Sequence, residues 1–125
     1  MGFWIFMIIT VLILPFTMLI FGRFFRKRAP KEINPIFGYR TSMSMKNKDT
    51  WEFAHKYYGR LSFLCGMLEI PLSIIPMLFL IGKNDNTIGA IGVIIVFIQL
   101  IPLIGIIIPT EIALRRNFDE NGKRR

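Results

Sequence analysis

Residues 3–22 read FWIFMIITVLILPFTMLIFG, without one charged side chain. A helix rises about 1.5 Å per residue, so roughly 20 residues cross a hydrocarbon core of about 30 Å. The stretch predicts a membrane span. Two more runs follow: residues 61–82 carry a single charge, Glu69, and residues 87–110 carry none. The chain thus reads as an all-α membrane protein with three transmembrane helices, a single domain over residues 1–125. The first run is read as a retained helix rather than a cleaved signal peptide. It exceeds the usual signal core of about 7–15 residues, and Arg23, Arg26, Lys27 and Arg28 follow it as a stop-transfer flank.

Charge distribution sets the expected orientation. The net charge of +8 is concentrated beside the apolar runs, a pattern of membrane topology rather than of nucleic-acid binding. Residues 23–60 hold ten Lys and Arg, residues 83–86 hold one, and residues 114–125 hold five. The positive-inside bias places the long loop and the tail in the cytoplasm and the N-terminus outside, in a multi-pass protein of a bacterial cell membrane. The lone Cys65 lies within a span and reads as a small buried side chain. Pro15, Pro71, Pro76, Pro102 and Pro109 predict kinks that neighbouring helices absorb. Gly89, Gly92 and Gly105 predict close helix packing, with homo-oligomerisation as a further possibility.

Residues 23–60 carry the rest of the information. Ala29-Pro30 and Asn34-Pro35 are turn signals, and residues 38–42 read as an ordered loop. Asn47, Asp49 and Thr50 are candidate helix caps. From about residue 48 to 58 the pattern predicts an amphipathic helix that lies on the cytoplasmic surface and feeds into the second span. Trp51, Ala54, Tyr58 and Leu61 form its apolar stripe, with Glu52, His55, Lys56 and Gly59 around the other side.

The run Asn34-Pro35-Ile36-Phe37-Gly38-Tyr39-Arg40-Thr41, then Ser44-Met45-Lys46-Asn47, Trp51-x-x-Ala54-His55 and Gly59, resembles the SdpI-type bacterial membrane proteins. The tail Thr110-Glu111-x-x-Leu114 with Phe118-Asp119-x-x-Gly122 resembles the end of the same domain. The resemblance implies an immunity protein against a membrane-active peptide toxin or bacteriocin. It also implies a signalling role in which a cytoplasmic repressor is held at the membrane. The best-known member carries further spans before the shared domain; this sequence shows the three-span unit.

The chemistry of single residues points to a polar site. An ionised carboxylate in hydrocarbon costs several kcal/mol, so Glu69 needs a partner or a proton. Glu111 closes the third span near Arg115 and Arg116. Arg40 offers a planar fork suited to a carboxylate and is expected to reach Glu111 or Glu69. Gly38 permits a tight turn or a close backbone approach. The expected ligand site comprises Asn34, Gly38, Tyr39, Arg40, Ser44, Asn47, Trp51, Glu52, His55, Glu69 and Glu111. No catalytic residue is assigned and no cofactor is expected. The alternative is a membrane peptidase in which Glu52 and His55, three residues apart, hold a divalent metal such as zinc or act as an acid–base pair with Glu69 and Glu111. A small subunit of a larger membrane complex is a third reading.

Overall fold

The computed structural model describes residues 1–31, 33 and 38–125; Asn34 lies outside the described residues. Four helices follow one another: α1 (Gly2–Lys27), α2 (Lys48–Leu78), α3 (Asp85–Gly105) and α4 (Ile107–Asn117). Among the described residues the rest is turns, loops and one isolated bridge between Phe118 and Arg124. Three helical stretches are long and apolar enough to cross a membrane: α1, α2, and α3 continued by α4. The protein is therefore a multi-pass, all-helical membrane protein.

Local chemistry explains the boundaries. Asn47 and Thr50 form a reciprocal capping box at the start of α2, and Asn84 accepts from Thr87 N at the start of α3. Arg26 and Lys27 sit in the last turn of α1, and Arg115 and Arg116 in that of α4, where the helix dipole favours positive charge. The α3–α4 break falls at Ile106. Pro109 has no N–H for the Gly105 carbonyl, and Thr110 Oγ1 turns back onto Ile106 O at 2.7 Å.

α2 runs through the segment expected to form the interfacial helix, and no distinct interfacial helix stands out there. Residues 48–58 are helical, but they are the first turns of one continuous helix of 31 residues. At about 1.5 Å per residue that helix is ~46 Å long, more than the hydrocarbon core needs. The segment thus continues directly into the span, as the sequence pattern predicts. No breaker separates the two. Gly59, the obvious hinge candidate, is a packing residue: a Cβ there would meet Arg26 N at 2.5 Å and Gly22 O at 2.9 Å. Gly22 packs reciprocally on Phe63 and Gly59, so α1 and α2 touch backbone to backbone. Of the glycines expected to bring helices together, Gly92 packs on Met7, whereas nothing stands within 4 Å of a Cβ at Gly105.

The buried stripe of α2 also differs from the expected one. It runs through Trp51, Ala54, His55, Gly59, Ser62, Gly66, Glu69, Ser73 and Met77, so His55 and Gly59 face inward. Leu64, Leu68, Leu72 and Ile75 are exposed, Leu72 by 67%. In lipid, large apolar side chains gain nothing by leaving the surface, and small or polar ones line the helix contacts.

Candidate functional site

The site is built where the loop before α2 folds onto the basic end of the bundle. Gly38 has φ +107, a conformation that glycine adopts without a Cβ penalty. A Cβ there would also collide with Nε2 of His55. The chain can therefore pass directly over the imidazole, and the Tyr39 N–H donates to His55 Nε2 at 2.8 Å. A backbone amide only donates, so Nε2 is the acceptor and Nδ1 carries the hydrogen. Nδ1 donates to Trp51 O at 2.8 Å. His55 is consequently a neutral imidazole with both ring nitrogens engaged. It is fully buried, edge-on to Phe25 at 5.0 Å and beside Trp51 at 4.2 Å between ring centroids.

Tyr39 ties three elements together. Its phenol donates to Glu111 Oε1 on α4 at 2.7 Å, its carbonyl accepts from Ser44 Oγ at 3.0 Å, and its ring packs on Tyr58 of α2 at 4.9 Å. Burial, and then the Glu111 carboxyl beside it, push the phenol pKa above its ordinary value of 10.0. Trp51 Nε1 donates to Pro30 O at 2.9 Å, fastening the loop's other end. Asn47 caps α2 and donates through Nδ2 to Gly122 O at 2.6 Å, so the tail is latched to the same corner. Phe118 fills the space beneath it with Tyr39, Met43, Ala54 and Leu114.

Beside this network lies a cavity of about 400 Å³. Thr17, Met18, Phe21 and Phe25 of α1 form one wall, Tyr58 and Ser62 of α2 another, and Leu103 and Ile107 flank the α3–α4 break. Gly38, Tyr39, Arg40 and Thr41 stand at its loop end. The lining is mostly apolar, with a short polar rim, as ligand pockets tend to be.

The expected site residues therefore fall into separate places. Tyr39, Ser44, Trp51, His55 and Glu111 share one hydrogen-bonded network, with Gly38 passing over His55, Asn47 at its corner and Arg40 at the cavity mouth. The described partner of Glu111 is the Tyr39 phenol. Glu52 lies on another flank of α2, in surface depressions shared with Lys48, Lys56 and Arg60. Glu69 sits deep in the span, 14 residues beyond His55, ~21 Å along the helix. Among the described residues no group of three His, Cys, Asp or Glu side chains is placed to hold a metal. A metal at His55 would displace a backbone hydrogen bond.

Two residues that the sequence reading passed over matter inside the span. Gln99 Nε2 donates to Val11 O at 2.7 Å and to Ser73 Oγ at 2.6 Å. The signal was present: an amide in an otherwise apolar run, and a proline in a neighbouring span that leaves a carbonyl without its donor.

A sequence profile described as the SdpI/YfhL protein family matches residues 31–110. A protein of Bacillus subtilis (strain 168), described as uncharacterized protein YfhL, is 36% identical over 67 residues, which cover 54% of this chain and 56% of that protein. The match thus spans about half the length of that relative. No solved structure matches.

Proposed function

The chain belongs to the SdpI/YfhL protein family, and from that premise we propose that it is a membrane immunity protein that captures a membrane-active peptide at the basic end of its bundle. The observation that carries the reading is the cavity of about 400 Å³ between α1, α2 and the α3–α4 break. Thr17, Phe21 and Ile107 at its edge are exposed on the lipid-facing side of the bundle, so an apolar peptide segment dissolved in the bilayer has a lateral way in. Tyr39, Arg40 and Thr41 give the loop end of the cavity a polar lining, toward which peptide groups unsatisfied in hydrocarbon are drawn. Capture in this wedge competes with pore formation by removing the peptide from the free membrane pool.

In this reading the basic end faces the cytoplasm, in keeping with the Lys and Arg bias of residues 23–60 and 114–125. The test is expression in a bacterium sensitive to a panel of membrane-active peptides. Protection against at least one peptide is expected, and Thr17→Trp with Leu103→Trp, which fill the wedge, should abolish it while membrane insertion is retained. Unchanged sensitivity across the panel, or protection that ignores the filled wedge, refutes the proposal.

A further inference from the structure

Glu69 lies within the membrane span of α2 and is only 7% exposed. Neither of its carboxyl oxygens has a hydrogen-bond partner among the described residues. Gln99, 3% exposed, faces the same interior from α3. Its amide nitrogen is committed to Val11 O and Ser73 Oγ, and its Oε1 is likewise unpartnered. The amide cannot be turned around, because Oε1 would then oppose the Val11 carbonyl. Ser73 is four residues after Glu69, so both point from one face of α2.

Three buried oxygens, both of Glu69 and Oε1 of Gln99, thus have no hydrogen-bond partner among the described residues. The protein has no cation of its own at this depth. Residues 3–22 and 87–110 carry no charge, and Glu69 is the only charged residue in 61–82. Cys65, one turn earlier on α2, is the titratable neighbour; α1 from residue 3 to 22 and α3 from 87 to 105 present none. A buried carboxylate with no countercharge demands one positive charge from outside the chain.

We propose that Glu69, with Gln99 Oε1 and Ser73 Oγ on the neighbouring turn, forms an intramembrane binding site for one monovalent cation, a proton or a dehydrated alkali ion. Gln99 holds two jobs at once: its nitrogen bridges α1 and α2, and its oxygen completes the acceptor set. Occupancy of the site is thereby coupled to the α1–α3 contact. The inference stands independently of peptide capture.

The full-length protein in detergent is treated with dicyclohexylcarbodiimide, which modifies protonated carboxyls in apolar surroundings. Treatment is made in choline buffer over a range of pH, with and without sodium or potassium, and the Glu69 peptide is followed by mass spectrometry. The infrared carbonyl band of a protonated carboxyl, assigned by its loss in Glu69→Gln, gives a second readout that needs no reagent access. Modification and band are expected at acid pH, falling about tenfold per pH unit above the titration point. Saturable suppression by sodium or potassium identifies an alkali-ion site; pH dependence without suppression identifies a proton site. A Glu69 that is silent in both readouts at acid pH in choline, or that responds to neither pH nor alkali ions, overturns the proposal.

Discussion

Nε2 of Gln99 donates 2.7 Å to the carbonyl of Val11, the acceptor that Pro15 leaves without its helical N–H, since that donor would come four residues later. A defect in α1 is repaired by a side chain from α3. In hydrocarbon no water can make the repair. Gln99→Leu is therefore expected to destabilise the protein by about 1–2 kcal/mol, the scale of interhelical hydrogen bonds in membranes. In a Pro15→Ala background the restored amide should reduce that loss to about half or less. A double-mutant cycle by thermal unfolding in detergent measures the coupling.

Gly38 carries the loop over His55 with φ +107. Gly38→Ala should destabilise by at least about 1–2 kcal/mol from the backbone alone, before the collision with His55 is counted. Trypsin cleavage at Arg40 and Lys46 should accelerate in the folded protein, and an unchanged cleavage rate would contradict the geometry.

Tyr39→Phe removes the bond to Glu111, at a cost of about 1–3 kcal/mol. Because the folded phenol titrates above its unfolded value of 10.0, the folded state holds that proton more tightly. Stability from this group is complete below pH 10 and declines as pH rises beyond it. Alkaline unfolding curves of the parent and Tyr39→Phe should converge above that pH.

Asn47 both caps α2 and holds Gly122. Asn47→Ala should lose about 1 kcal/mol for the cap and in addition release the tail. Faster tryptic removal after Lys123, with α2 still helical by circular dichroism, is the signature of the latch. Asn47→Asp keeps the cap acceptor but not the donor, and should release the tail alone.

Gly59 and Gly105 should respond oppositely. Gly59→Leu forces α1 and α2 apart and is expected to prevent a stable fold. Gly105→Ala has open space around it and should be neutral, or stabilising by up to about 1 kcal/mol, because alanine restricts the unfolded chain. Heat-induced aggregation in detergent distinguishes the two.

The helical class and the three spans follow from runs of apolar residues longer than any soluble core requires, and the basic residues flank those runs. Length and hydropathy act locally, so one sequence suffices to read them. The loop motif around Gly38, Tyr39 and Arg40 could also be recognised as unusual. Its partners could not be identified: Tyr39 meets Glu111 across 72 positions of chain, and Asn47 meets Gly122 across 75.

Trp51 and Ala54 of the expected stripe are buried, and His55 and Gly59 join them on the inward face. Amphipathic patterning assumes that water selects the polar side, whereas here the Tyr39 amide bonds His55 and the α1 backbone packs on Gly59, and lipid accepts Leu72 outside. The sequence by itself determined a polypeptide long and greasy enough to thread a bilayer three times. It took the tertiary structure to show that Tyr39, His55 and Glu111 form one network and that Gln99 reaches Val11 and Ser73, because those meetings depend on how the helices cross and not on what any helix contains.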